Sequence, residues 1–341
     1  MTDLTPEKLA GIADAMALEG APPARELGAT VLSGGRSNLT YVITDGQKRW
    51  VLRTPPRTGR TPSAHDVVRE HRVTSALAGT PVPVAEAILL HEDDDLLGVP
   101  FTVSGFVDGA TLRTQADLVP LDDATLAVVV DRMIAALVAL HDVDHAAVGL
   151  EEFGRPDRYA ARQARRWKSQ WEIVGPPELE GLANEVVCVL ERDLPSQRRT
   201  SIVHGDYRID NTIIAGSGTA TRVAAVVDWE LSTIGDPVAD VAMMCAYREP
   251  AFDLIMGAPS AWTSNRLPEP DSLAEQYAVA SGHDLEHWSF HRALACFKVA
   301  VIAAGIDHRR RAGSGSGAGF DTAGESVPQF LEIAHQIAAR S

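Results

Sequence analysis

The sequence predicts an α+β protein of two lobes, a small β-rich N-terminal lobe over residues 1–107 and a larger, mainly helical C-terminal lobe over 108–341. Three observations predict it. At 341 residues the chain is long for one hydrophobic core and suits two. Short apolar runs separated by turn residues dominate as far as Val107. Beyond it, apolar residues recur at helical spacing over long stretches.

Composition narrows the function classes. A hydrophobic content of 45% and a charged content of 23% belong to an ordinary soluble globular protein. The net charge of −15 argues against nucleic acid or an anionic membrane as a partner, and would suit a cationic acceptor. Cys188, Cys245 and Cys296 are far apart with no CxxC, the pattern of buried thiols in a reducing compartment. Met1-Thr2-Asp3-Leu4 carries no basic and apolar leader, and no apolar run approaches the ~18 residues of a membrane span. The expected location is the cytoplasm.

In the N-terminal lobe, Thr5-Pro6-Glu7 opens a helix with a capping hydroxyl, a proline in the first turn and an acid near the positive helix end. Ile12, Ala15 and Met16 form its buried face, and Pro22-Pro23 breaks it. Residues 30–43 read as strand, tight glycine turn, strand. In the turn, Ser33-Gly34-Gly35-Arg36-Ser37-Asn38, the glycine pair lets backbone N–H groups approach phosphate oxygens, which a Cβ would block. It is neither a Walker A loop nor a GxGxxG, and taken alone it is a β-hairpin. Trp50-Val51-Leu52-Arg53 is the next strand, ended by Pro55-Pro56. Residues 64–78 have helical period on Val67, Val68, Val73 and Leu77, with Glu70 among them. Strands over 82–90 and 101–109 flank an acidic turn at 91–95.

The C-terminal lobe begins with a helix whose Leu126, Val130, Met133, Ile134, Leu137 and Leu140 form a core-facing stripe, with a structural or helix-end His141. Arg155, Arg158, Arg162, Arg165, Arg166 and Lys168 then crowd around a helix that also carries Trp167 and Trp171. Two readings stand: a solvated helix face, or a rim that meets an anionic acceptor. Asp240 lies on the first turns of another helix, as a helix-end acid or to orient a loop. Residues 251–271, rich in Pro, Gly and Ser, read as an exposed loop. His283, His287 and His291 stand four apart, but Asp284 as a helix cap leaves His283 outside, and they read as helix-surface histidines. An apolar helix over 290–306, a basic and Gly/Ser-rich loop over 309–319, and an amphipathic helix over 326–339 close the chain.

The chemistry gathers at Ile202-Val203-His204-Gly205-Asp206-Tyr207-Arg208-Ile209-Asp210-Asn211 and at Val226-Val227-Asp228-Trp229-Glu230. A strand precedes the first segment, and a hairpin over 213–227 connects the two. Kinases place a catalytic Asp, an Asn five residues on and a second Asp behind an apolar run in this order. Asp206 is then the residue that accepts or orients an acceptor hydroxyl. Asn211 and Asp228 are the oxygen ligands of Mg²⁺, a hard cation. Arg53 takes the place of the basic residue that grips the α and β phosphates of ATP, and a guanidinium does so bidentately. Glu70 is placed to pair with it. Adenine would lie on the backbone near Ser104 and Phe106.

With these residues the chain resembles the aminoglycoside phosphotransferase family, which shares the protein-kinase-like fold with choline kinases. Within it the chain looks most like the branch found ahead of the dehydrogenase in acyl-CoA dehydrogenase types ten and eleven. The branch-like residues are His204–Asn211, Asp228–Pro237, and Phe153-Gly154-Arg155-Pro156 with Tyr159, Gln163, Arg166-Trp167, Gln170 and Trp171, a stretch antibiotic kinases lack. The resemblance implies ATP and Mg²⁺, Asp206 as base, Asn211 and Asp228 as metal ligands, and phosphate contact from Ser33–Asn38 and Arg53 steadied by Glu70. It also implies a hydroxyacyl thioester as acceptor, which gives the cationic rim a task. The chain departs from the branch at Gly105, where members tend to carry an acid. Trp229-Glu230 replaces Phe-Gly with no Ala-Pro-Glu after it, so an activation-loop switch is not expected. Two rivals remain: an antibiotic kinase on the same machinery, and a catalytically silent binding module.

Overall fold

The structure, a computed structural model, describes residues 4–32, 38–55, 66–314 and 317–340. It divides into two compact units, Met1–Gly109 with Ala224–Ser232, and Ala110–Val223 with Thr233–Ser341.

The first unit opens with α1 (Pro6–Leu18), capped as expected by Thr5, whose hydroxyl accepts from the Lys8 N–H at 3.4 Å. The helix ends at Leu18, ahead of the proline pair. Then follow β1 (Gly28–Val31), β2 (Leu39–Thr44), β3 (Arg49–Thr54), α2 (Val67–Leu77), β4 (Ala87–His91) and β5 (Phe101–Gly105). The strands form one antiparallel sheet in the order β1-β2-β3-β5-β4. Strand alternation decides what each face carries. Tyr41, Ile43, Trp50, Leu52, Phe101 and Val103 join Ile12 and Met16 of α1 in one apolar core. Val51 and Arg53 therefore point to the other face, with Arg53 opposite Thr40 on one side and Thr102 on the other. Residues 224–232 fold with this unit. The Val226 N–H donates to the Pro83 carbonyl at 2.8 Å, and the Arg69 guanidinium donates twice to the Ser232 carbonyl.

The second unit contains α3 (Gln115–Leu118), α4 (Asp123–Asp142), α5 (Tyr159–Val174), α6 (Glu180–Arg192), β6 (Ser201–Val203) and β7 (Thr212–Ala215). After β8 (Arg222–Val226), at which the units part, come β9 (Thr233–Gly235), α7 (Pro237–Ala246), α8 (Phe252–Met256), α9 (Pro270–Ser281), α10 (Trp288–Arg311) and α11 (Ser326–Ala338). The expected stripe of α4 is buried from Leu126 to Leu140. The long α10 packs against α5, α7 and α11. β6 pairs antiparallel with β9, with Val203 opposite Thr233.

Several expectations are corrected. Residues 251–271 are not an exposed loop: Phe252, Ile255, Trp262 and Leu267 are buried. The Trp262 indole N–H donates to the Met244 carbonyl at 2.8 Å, and the Arg248 guanidinium binds the carbonyls of Trp262, Leu267 and Pro268. These bonds fix an irregular path that Pro and Gly content alone does not announce. Asp284 caps nothing, because α10 begins at Trp288 after His287 in a left-handed conformation. His291 is buried rather than on the helix surface, with Nε2 3.6 Å from Asp236. Cys188 is exposed, whereas Cys245 and Cys296 are buried. Helices α4 and α10 do have the length and hydropathy of a membrane span, but much of each is packed inside this unit.

Trp262→Ala should remove a fully enclosed indole and its hydrogen bond. The expected loss is about 3–5 kcal/mol of unfolding free energy, read from urea unfolding followed by far-UV circular dichroism; an unchanged midpoint would contradict the packing described.

Candidate active site

The first unit holds a cation between two carboxylates. Arg53 leaves β3 on the face away from the apolar core, and its NH1 meets Glu70 Oε1 of α2 at 2.6 Å. Its NH2 lies 3.3 Å from Asp228 Oδ1. Burial works against the Arg53 charge, yet Glu70, Asp228 and Glu230 more than offset it and raise its pKa. Burial raises the Glu70 carboxyl against the pull of Arg53. The Arg53 Nε–H is buried with no acceptor among the described residues. Asp228 sits in the left-handed region at φ 68°, which costs a residue with a Cβ about 1–2 kcal/mol.

The second unit holds Asp206. After β6 the chain turns through Gly205 at φ 84°, a conformation that favours glycine. One buried side chain fixes this turn. Asp240, near the start of α7, accepts the His204 N–H at 2.5 Å and the Gly205 N–H at 2.7 Å. The other side of Asp240 meets His141 Nε2 at 3.3 Å, and His141 Nδ1 lies 2.7 Å from the Tyr277 hydroxyl. Of its two readings, Asp240 thus takes that of a residue orienting a loop, and His141 is a structural buried histidine.

Asp206 projects from the fixed turn into a ring of donors. Asn211 Nδ2 donates to its Oδ2 at 2.9 Å and to its backbone carbonyl at 2.8 Å. Arg208 approaches the same Oδ2 through Nε and NH2 at 3.4 Å, while its NH1 binds Asp210. Burial pushes the Asp206 carboxyl up, but Arg208, the adjacent Tyr247 hydroxyl, His204 and Lys298 outweigh it, and the group lies below the ordinary carboxylate range. It is held as an anion, which is what a proton-accepting or hydroxyl-orienting group needs at neutral pH.

Both proposed metal ligands present oxygen. The two bonds from Nδ2 orient the Asn211 amide, and its Oδ1 has no protein partner among the described residues. Among the described residues Asp228 engages Arg53 through Oδ1 alone, leaving its second oxygen for a hard cation. Of the nucleotide-side residues, Ser33, Gly34, Gly35, Arg36 and Ser37 lie outside the described residues. Asn38 is buried, and its side-chain nitrogen and oxygen both lack partners among the described residues. Ser104 lies in β5, and the N–H groups of Gly105 and Phe106 are already used on the carbonyls of Glu86 and Arg49.

Sequence reasoning missed Arg208, Tyr247 and Lys298. Arg208 lies two residues past Asp206 and was legible as a cation inside the motif. Lys298 is a single charge in the apolar run Phe297-Lys298-Val299, and its Nζ donates to the Gly205 carbonyl at 3.1 Å. Tyr247 carried no local signal. The cationic stretch divides: Arg162 binds the carbonyls of Arg155 and Asp157, Lys168 pairs with Glu191 at 2.8 Å, and Arg166 lies over the Trp167 ring.

A profile described as the phosphotransferase enzyme family matches residues 28–294. The chain is 33% identical over 310 residues to acyl-CoA dehydrogenase family member 10 of Mus musculus, covering 90% of this chain and 29% of that protein. It is 31% identical over 327 residues to acyl-CoA dehydrogenase family member 11 of Gallus gallus, covering 93% and 40%. The chain thus spans well under half the length of these relatives. A crystal structure of a candidate aminoglycoside phosphotransferase from Ralstonia eutropha is 30% identical with a TM-score of 0.83, over 97% of this chain and 98% of that one. Aminoglycoside phosphotransferase APH(4)-Ia, solved in a ternary complex with AMP-PNP and hygromycin B, gives a TM-score of 0.63 over 96% and 98%. At 16% identity it speaks for the fold alone. The fold is the kinase-like aminoglycoside phosphotransferase fold, mixed α+β as the sequence predicts.

Asp206 and Asp240 are both held below the ordinary carboxylate range, Asp240 by His141, His204 and the Gly205 N–H against its burial. For a depressed carboxyl the stability contribution is present above the unfolded value, about 4, and is lost as pH falls through the folded value. Asp240→Asn should therefore cost about 3 kcal/mol at pH 7 and make the fall in urea midpoint below about pH 4 shallower. Superimposable stability curves would remove Asp240 from this role.

Proposed function

We propose that this chain, which belongs to the phosphotransferase enzyme family, moves the γ-phosphoryl group of ATP to a hydroxyl of a small molecule, with a hydroxyacyl-CoA as the acceptor class. The observation that carries the reading is Asp206: a part-buried carboxylate kept ionised by Arg208 and Tyr247, bonded by Asn211, on a turn that Asp240 fixes. In-line transfer asks the protein mainly to position reactants and neutralise charge, so such a carboxylate is the expected centre.

Asp206 orients the acceptor hydroxyl and receives its proton. Arg53, braced by Glu70, offers its free Nε–H to a phosphate oxygen, with the Ser33–Asn38 segment as the further phosphate contact. Asn211 and Asp228 would hold Mg²⁺ through oxygen; when bound, the ion neutralises charge on the phosphates. Ser104 and Phe106 mark the backbone assigned to adenine. Two further observations support nucleotide use and the acceptor class. Structural neighbours were solved with AMP-PNP and with GDP. The matched relatives carry acyl-CoA dehydrogenase names, although those names describe much longer proteins. A cytoplasmic location, small-molecule partners, and the absence of nucleic-acid and membrane partners are part of the same proposal.

ADP release with MgATP should be measured against 3- and 4-hydroxyacyl-CoAs, free hydroxy acids, aminoglycosides, choline and homoserine. Turnover on a hydroxyacyl-CoA, lowered about 10²–10⁴-fold in Asp206→Ala, is expected. Turnover on aminoglycosides alone would replace the acceptor class with that of the antibiotic kinases. Silence on the whole panel with MgATP bound would favour a binding module. Asp228→Ala should weaken MgATP binding by tenfold or more in calorimetry; unchanged affinity would remove it as a ligand.

A further inference from the structure

Lys298 interrupts the buried face of α10. Phe297, Val299, Ala300 and Val301 around it are buried, and an ammonium in such a run costs desolvation unless it is used. Burial lowers its pKa, against the attraction of Asp206 and Asp240, and the neighbouring Arg166 charge lowers it further. One of its three N–H groups goes to the Gly205 carbonyl, and no other hydrogen-bond acceptor is found among the described residues. Arg166 has no ion pair or hydrogen bond among the described residues either.

Both cations lie over one ring. The Arg166 guanidinium carbon is 5.4 Å from the centre of the Trp167 ring and Lys298 Nζ is 5.6 Å from it. The ring is fixed by its Nε1–H, which donates to Gln163 Oε1 at 3.2 Å. The segment leading to α5 is pressed close to β9, since a Cβ at Gly154 would come within 2.6 Å of the Ile234 nitrogen. Trp171 of α5 packs on Phe297, which precedes Lys298. Arg166 and Lys298 are like charges whose repulsion lowers the Lys298 pKa, and among the described residues no carboxylate forms an ion pair with either. An anion bound by both would relieve that repulsion, and the loop bearing Asp206 accepts a hydrogen bond from Lys298 through the Gly205 carbonyl.

We propose that Arg166 and Lys298, gathered over Trp167, form the subsite that binds the anionic group of the acceptor beside Asp206. This rests on the phosphotransferase reading and deepens it by assigning the acceptor's charge to two residues. The ligand chemistry is a carboxylate or phosphate on the molecule that carries the hydroxyl. Lys298 is also a positioning residue, because the same Nζ anchors the Gly205 carbonyl.

The test is a pair of variants, Arg166→Gln and Lys298→Met, in the full chain with MgATP. The acceptors are 4-hydroxybutanoate, its CoA thioester and the neutral 4-hydroxybutanamide. Arg166→Gln should raise the KM of a charged acceptor tenfold or more, move that of the amide less than twofold, and leave the KM for ATP within twofold. Lys298→Met should add a fall in kcat through the loosened turn. An effect on 4-hydroxybutanoate assigns a carboxylate to the subsite; an effect confined to the thioester assigns a CoA phosphate. KM values within twofold for every charged acceptor in Arg166→Gln would overturn the subsite while leaving the phosphotransferase reading intact. If the wild type phosphorylates none of the three, that reading fails for this class, and calorimetry with 4-hydroxybutanoate and with CoA decides the subsite separately. A tenfold weakening in Arg166→Gln upholds it, and equal affinities or no binding in either protein overturn it.

Discussion

A buried carboxylate under a tight turn sets the geometry on which the rest of the second unit depends. Asp240 accepts two consecutive backbone N–H groups, those of His204 and Gly205, and is backed by His141, which is itself in contact with Tyr277. A turn of this kind leaves its N–H groups without strand partners, and burial would make each of them costly if unmet. By meeting them with one side chain, the chain directs Asp206 away from the core and into a ring of donors. Removing the carboxylate would free the turn before it touched any reacting group. In the proposed reaction Asp240 is for that reason a positioning residue rather than a catalytic one.

The two units manage charge in opposite ways. In the first, one guanidinium is shared between Glu70 and Asp228, and it keeps an N–H unmet among the described residues. A cation with spare donors suits a phosphate. In the second, a carboxylate is surrounded by Arg208, Asn211, Tyr247 and the more distant Lys298. An anion so stabilised stays ionised while remaining able to accept from a hydroxyl. The net charge of −15 suggested a cationic acceptor; local placement points the other way, because Arg166 forms no ion pair among the described residues and its charge adds to that of Lys298 near the turn. Net charge describes the whole surface, whereas recognition depends on a few groups.

Much of the site was legible because its chemistry requires particular side chains at fixed local spacing. Asp206 and Asn211, five apart, meet across one short turn, and strand alternation alone puts Arg53 on the face opposite Trp50 and Leu52. The sheet and the apolar stripe of α4 were legible for the same reason. What escaped was made by contacts distant in sequence. Lys298 reaches Gly205 across 93 positions, and neither residue signals the other. His291 looked exposed in a four-spaced histidine series but is buried against Asp236, because α10 starts later than Asp284 suggested. The stretch around Trp262 has loop composition, yet side-chain bonds to its carbonyls pack it as core.

Chemical rescue of Asp206→Ala tests most directly that an anion held by Arg208 and Asn211 is the group facing the acceptor. The substitution leaves a small space lined by those donors, into which formate fits. With MgATP and a working acceptor, formate should raise the residual rate tenfold or more in a saturable way, while chloride at equal ionic strength should not. Full turnover by the unrescued variant, or equal responses to formate and chloride, would contradict the role assigned to Asp206.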